Sequence, residues 1–577
     1  MLGKMAAQVS HFRNRPAMRL LLLAAVLITF GRILSNDFVD WDDGTLIYDN
    51  ANVTQGTLDG LARQWNWRDS HAFGLYDPLV YTTWWVLAHA ARLQTPDALG
   101  ATINPQIFHA ANLLVHWLAG CVVLEILACL GIGGWAGFAA ALLFVVHPLQ
   151  TEAVAWATGM KDLLGGLLGL TCIWRYLVAV QSRGVRRRSN YIAATLLCLA
   201  ALLSKPSAAV LPLIVASFEV ILYRRPVGRS LLRVAPWILM AAAATGITWS
   251  IQPASKLVPW PVWSRLFMAG DALAFYLCKV ILPIRLSFDY GRTPLVMLGD
   301  PRLYWNWIFP VVTALMVWRL RRPMLTAAAM VFLLGVLPVL GLAPFAYQSF
   351  STVADRYLYV SMLGVAMAGG MFLARFGNRV IWCVAGGAIA ILMSLSFVQA
   401  GRWRDTDTLY AYAMSLNPIT PAHYMVAAEY AEKEASMAER RGKLAIGRGD
   451  TGAARAEDDA VRDDLQKAVG YRKDEIKYDS MDIEGHDQLA NDLSALGDNQ
   501  DAIEVMRQWV KEQSSLAPAR RDKPGNLHEL LGNFYFSAGS YALAVREYEE
   551  AMALGPDAQI KQDLDAAKLK LQVTPSR

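Results

Sequence analysis

What most constrains this chain is a succession of apolar stretches, each near the length that crosses about 30 Å of hydrocarbon, which stops abruptly near residue 400. The stretches lie at 17–34, 107–130, 132–147, 163–181, 191–204, 207–223, 232–250, 305–320, 324–342, 357–374 and 379–399. Charged side chains are sparse before that point and dense from Arg402 onward. With 577 residues, 55% of them hydrophobic, the chain is too apolar and too long for one soluble domain. The expectation is all-α: a polytopic membrane domain over 1–400 and a soluble domain over 401–577.

Positive charge gives the orientation. The net charge of +6 lies in short clusters between apolar stretches, a pattern that orients membrane proteins rather than one that binds nucleic acid. Arg13 and Arg15, the run Arg183, Arg186, Arg187 and Arg188, the pair Arg224 and Arg225, and Arg319, Arg321 and Arg322 should all be cytoplasmic. About eleven crossings satisfy them, with the N-terminus inside and the C-terminal domain outside. The first stretch follows Arg13, Arg15 and Arg19 and has no small-residue cleavage site, so it reads as a retained helix. The stretch 266–282 carries Asp271 and Lys279 and reads as re-entrant or interfacial. The six cysteines sit inside apolar runs without metal-ligand spacing and read as small apolar residues.

The soluble tail repeats itself. "HDQLANDLSALGDNQDAIEVM" (486–506) aligns with "HELLGNFYFSAGSYALAVREY" (528–548), matching Leu489 to Leu531, Gly497 to Gly539 and Ala502 to Ala544. A helix, a Gly turn and a second helix opening on a small residue is the pattern of a tetratricopeptide repeat. The insert "SSLAPARRDKPG" stretches the spacing beyond the usual period of about 34 residues. "ERRGKLAIGRGDTGAARAEDDA" reads as a loop or a weak helix.

With this topology several polar motifs share the external side. "FVDWDD" places Asp40, Asp42 and Asp43 in a long first loop, 35–106. "VHPLQTEAVAWATGMKD" brings His147, Glu152, Lys161 and Asp162, "SKPSAAVLP" brings Lys205, "PIRLSFDY" brings Asp289 and Tyr290, and "ADRYLYV" brings Arg356. Ionisable residues at membrane depth usually mark a site or a pathway. Asp-Asp-Gly is good turn chemistry, and Asp42 and Asp43 could do no more than that. Their functional reading is a carboxylate base taking a proton from a hydroxyl, with the neighbouring acid shifting its pKa. Lys205 and Arg356 would lie at the membrane boundary and could hold a lipid phosphate, or simply extend toward headgroups. His109, Asn112 and His116 share one helix face and read first as packing and interhelical hydrogen bonding, since no zinc-type ligand set is present. No nucleotide-binding loop occurs, so an activated donor on the external side would be carried by a lipid.

These residues resemble a known family. "FVDWDDGTLIYDN", "YDPLVYTTWWVLAHAA", "FHAANLLVHWLAG", "HPLQTEAVAWATGMKDLL", "LLSKPSAAVLPL", "PIRLSFDY" and "DRYLYVSMLG" are similar, in order, to the TMTC proteins, polytopic GT-C glycosyltransferases with C-terminal tetratricopeptide repeats. The resemblance covers nearly the whole chain. It implies inverting transfer of a sugar, mannose or another hexose, from a polyprenyl-phosphate donor to an acceptor hydroxyl on Ser or Thr of an exported protein. Residue by residue it matches the family's first-loop acidic pair to Asp42 and Asp43; the expected reading then takes Asp42 as base, Asp43 as its orienting or sugar-binding neighbour, and Lys205 and Arg356 on the departing phosphate. His109, His147, Glu152, Lys161, Asp162, Asp289 and Tyr290 would line the substrate. A divalent cation is compatible with the family, but no ligand set here demands one. Two departures stand out: Tyr76-Asp77-Pro78-Leu79 where the family usually reads YRPL, and Lys161-Asp162 where it usually reads Arg-x-Asp. The few repeats and short tail point to a bacterial cytoplasmic-membrane protein. The rival readings are a transferase acting on a lipid or envelope glycan, and an inactive scaffold whose repeats recruit envelope proteins.

Overall fold

A computed structural model describes residues 15–68, 76–93, 102–251, 261–416, 421–478, 483–514, 524–555 and 558–573. It is helical throughout, with no strand among the described residues. The chain forms two compact units, Met1–Asn417 and Pro418–Arg577.

In the first unit the longer helices are α1 (Arg15–Phe30), α2 (Pro78–Ala90), α3 (Pro105–Cys129), α4 (Gly134–Val146), α5 (Met160–Gln181), α6 (Gly184–Leu202) and α7 (Leu211–Ile221). They continue as α8 (Val227–Ile251), α9 (Val262–Ile281), α10 (Ile308–Leu320), α11 (Pro323–Val336), α12 (Met362–Phe376), α13 (Arg379–Ala400) and α14 (Thr406–Leu416). Among the described residues, five spans are long and apolar enough to cross a bilayer: Arg15–Ser35, Pro105–Cys129, Ala157–Gln181, Val227–Ile251 and Arg379–Trp403. The pair Gly134–Val146 and Pro148–Ala155, bent by 50°, makes a sixth if read as one broken span. Other expected crossings fall on shorter helices. The 13 residues of α10, for example, reach only about 20 Å. The α13 helix leaves Val380, Val384 and Ile391 exposed, as a lipid-facing helix does.

Proline sets where the helices break. His147 and Lys205 each precede a proline, which disfavours helical backbone at the residue before it. Both are extended, at φ −71° and −157°, so α4 ends at Val146 and α6 at Leu202. Helix α5 packs against α3, α6 and α7. Its Gly166 is required, because a Cβ there would collide with the Tyr359 ring.

The segment after α13 does not start the second unit. Helix α14 packs back on the first loop: Tyr410 donates to the Asp40 carbonyl at 3.0 Å, and Asp40 N–H donates to Thr406 Oγ1 at 3.0 Å. The compact division therefore falls after Asn417 rather than at the composition change near residue 400.

The second unit is a series of helices: α15 (Pro421–Gly447), α16 (Thr451–Tyr478), α17 (Ile483–Ala495), α18 (Asn499–Ser514), α19 (Pro524–Ser537), α20 (Tyr541–Leu554) and α21 (Ala558–Val573). The stretch read as a loop or weak helix is instead a long hairpin of α15 and α16 that turns at Gly449, where φ is +74°. Small residues on its inner face, Ala428, Ala431, Ala435 and Ala438 among them, are buried, and the polar composition lies on the outer one. Pairs α17–α18 and α19–α20 occupy the aligned repeats, sharing a core of Leu489, Ala502, Trp509, Leu531 and Ala544. Most of the insert between them, 515–523, lies outside the described residues.

The arginine clusters predict that a reporter fused after Arg402 is external and one fused within 184–187 is cytoplasmic. Paired alkaline phosphatase and fluorescent-protein fusions measure both.

Candidate functional site

The acidic pair opens a single wide turn, Gly44–Tyr48, closed by the Asp49 N–H on the Gly44 carbonyl at 2.9 Å. Aromatic packing seats the loop: Phe38 is buried against Tyr48 and Phe108, at ring distances of 5.3 and 5.5 Å. The two carboxylates then part company. Asp43 is fully buried, and its oxygens accept from Val39 N–H (2.9 Å), Thr158 N–H (2.9 Å) and Thr158 Oγ1 (2.5 Å). Burial pushes its carboxyl up to about 7, against the downward pull of those three bonds and with a smaller upward push from Asp42. In this arrangement its carboxylate is buried and engaged by those three donors. Asp42 is half-buried, and no hydrogen bond or ion pair reaches its carboxylate among the described residues.

The cations come from helix ends. Lys205 pairs with Asp162 in the first turn of α5. Arg356, in the short turn Asp355–Leu358, pairs through its guanidinium with Glu152, whose other oxygen accepts the Arg356 backbone N–H at 2.8 Å. Three rings surround the guanidinium: Tyr347 at 4.3 Å, Tyr357 at 5.1 Å and Trp156 at 5.4 Å. Lys205, Arg356 and Asp162 line one cleft together with Leu211, Val339 and Val360. The site thus joins two cations to an apolar wall.

Asp42 does not line that cleft. Tyr81 is buried within reach of both Asp77 and Asp42, and its phenol is held well above its usual range by burial and then by the charges of those two carboxyls. Asp77 is buried and lies 3.9 Å from Lys161, which sits over the Trp84 ring at 5.6 Å. Burial raises the Asp77 carboxyl, while the charges of Lys161 and Lys205 oppose the shift. The two departures from the family pattern therefore face one another as a pair.

The remaining candidates are taken up by packing. The His147 ring accepts the Leu149 N–H at 3.2 Å and meets the Val280 carbonyl at 3.1 Å, capping the break after α4. His109 reaches the Asp37 carbonyl at 3.3 Å. Asp289 accepts the Gly291 N–H at 2.7 Å, and Tyr290 donates to Asp355 at 2.8 Å, behind Arg356. None of these four lines the cleft. Among the described residues no three His, Cys, Asp or Glu side chains gather to hold a metal. Thr158 and the ring of Trp156, Tyr347 and Tyr357 were not singled out from sequence. Only proximity in the fold reveals them.

The fold and the cleft define a class: an all-α membrane protein with a buried network of ion pairs at its helix ends. No family model matches the sequence. Individual proteins do. The chain is similar to the protein O-mannosyl-transferase Tmtc2 of Drosophila melanogaster, 29% identical over 303 residues, covering 49% of this chain and 31% of that protein. It is 24% identical over 420 residues to a protein O-mannosyl-transferase of Caenorhabditis elegans, covering 69% of this chain and 58% of that one. Against protein O-mannosyl-transferase TMTC4 of Mus musculus it is 21% identical over 487 residues, covering 70% and 63%. The matches span less than two thirds of each relative. The chain is TMTC-like.

Removing one partner of a buried ion pair strands the other. Glu152→Ala should therefore cost about 3–5 kcal/mol of stability, and the double variant Glu152→Leu with Arg356→Met should recover much of it. Thermal unfolding of the purified protein in detergent compares the two.

Proposed function

We propose that this chain is an inverting glycosyltransferase that moves a hexose, mannose on the precedent of its relatives, from a polyprenyl-phosphate donor to a Ser or Thr hydroxyl of an exported protein. One observation carries the reading: Lys205 and Arg356, from distant parts of the chain, line a single cleft with an apolar wall. A lipid-linked phosphate has that chemistry, anionic at one end and apolar at the other. The names of the relatives support sugar transfer to protein.

In this mechanism Asp42 takes the proton of the acceptor hydroxyl as its oxygen bonds to the anomeric carbon. The bond from that carbon to the phosphate oxygen breaks, and its electrons leave with the phosphate. Negative charge grows there, where Lys205 and Arg356 favour it. Attack opposite the leaving group inverts the anomeric centre. Asp77, Tyr81 and Lys161 would flank the sugar. The helical pairs of the second unit, read as tetratricopeptide repeats, would hold an extended acceptor. The membrane would be a bacterial cytoplasmic one, with the site and the repeats on its external side.

The test is Asp42→Asn, which removes the base and keeps the shape. Transfer from synthetic polyprenyl-phosphate mannose to a Ser/Thr peptide should fall by about 10²–10⁴ while the protein stays folded and inserted. Full activity in that variant removes Asp42 from the mechanism.

A further inference from the structure

We infer that Thr158 is a positioning residue for the transfer: through Asp43 it fixes the loop carrying Asp42 against the turn that leads into Asp162 of the cleft. The inference rests on the glycosyltransferase reading and adds a residue to it.

The geometry is a clamp between segments 115 residues apart. Thr158 gives both its backbone N–H and its hydroxyl to one Asp43 oxygen, and Val39 N–H holds the other. Thr158 is itself buried, in the short turn Ala157–Gly159 between Glu152 and Asp162. That turn is braced from α3, where Asn112 Nδ2 donates to the Trp156 carbonyl at 2.7 Å and the Val154 carbonyl at 3.2 Å. The turn is thus a fixed platform and the acidic loop is fastened to it. Asp42 adjoins Asp43 in the chain, so its placement relative to Lys205 and Arg356 follows the clamp. Hydrogen bonds to a charged group are among the stronger ones, so loss of the hydroxyl is felt.

The clamp needs an ionised Asp43, because all three groups pointing at it are donors in this arrangement. The titratable and charged groups around it are Asp42 and Tyr48 of its own loop, with Asp40 and Asp49 acting on Tyr48. From α3 come Asn112, which does not titrate, and His109, which is engaged with the Asp37 carbonyl. Burial holds the Asp43 carboxyl up at about 7, so the clamp weakens as pH falls through that value. The Thr158 hydroxyl pulls in the opposite direction, favouring the charged form.

The experiment is the pH profile of transfer between synthetic polyprenyl-phosphate mannose and a Ser/Thr peptide, for wild type, Thr158→Val and Thr158→Ser. Wild type should lose rate below about pH 7. The Val variant should lose it from about one pH unit higher, and Ser should restore the original profile. The position of the acid limb does not depend on how much protein folds, so a partly unfolded Val variant still reports. A Val variant whose rate drops evenly at every pH, with its limb unmoved, overturns the positioning role and leaves the transferase reading standing. Absence of transfer by wild type at every pH overturns both.

Discussion

An ammonium or guanidinium taken out of water costs several kcal/mol unless a carboxylate comes with it. That constraint organises the first unit around its cleft. Lys205 takes Asp162, Arg356 takes Glu152 and Lys161 lies beside Asp77, each cation matched by one acid. Two of the three acids and one of the cations come from the stretch between α4 and the first turn of α5. That stretch is held from all sides: by Asn112 of α3, by the Ser396 hydroxyl of α13 on the Val146 carbonyl at 2.7 Å, and by Asp43 of the first loop. The second unit follows the same rule. Its Arg472 is almost wholly buried and is satisfied by Glu432 at 2.8 Å and Glu475 at 2.9 Å.

Pairing has a consequence for the proposed chemistry. A phosphate between Lys205 and Arg356 would share these cations with Asp162 and Glu152 rather than hold them alone. Such sharing moderates ground-state binding and leaves the larger gain for the moment when charge grows on the leaving oxygen. The proposed base stands apart from these pairs: among the described residues no hydrogen bond or ion pair reaches the Asp42 carboxylate. Asp42 and Asp43 are adjacent in sequence and opposite in circumstance, one open and one closed by three donors.

Much of this was legible in the residues themselves. Apolar runs and prolines marked the helices and their breaks, because hydrocarbon thickness and pre-proline sterics act locally. The number of crossings was less legible, since helices such as α10 and α4 are too short to count by length alone. The polar motifs were recognisable, but their pairing was not. Arg356 and Glu152 are 204 residues apart, and Asp43 and Thr158 are 115 apart, distances over which no periodicity carries information. His147 and Asp289 looked like substrate residues because polar groups at membrane depth suggest function. In the fold they satisfy backbone groups freed where helices break, an equally pressing need. Helix α14 looked like the start of the tail because its composition is polar, yet Tyr410 and Thr406 bind it to the first loop.

The central claim is transfer of a sugar with inversion. It is tested most directly by incubating the purified full chain with an isotopically labelled polyprenyl-phosphate hexose and a Ser/Thr peptide, and reading the product's anomeric configuration by NMR. The account predicts label on a Ser or Thr hydroxyl, with the configuration opposite to that of the donor. Transfer with the donor's configuration retained, or no transfer to any hydroxyl, would contradict it.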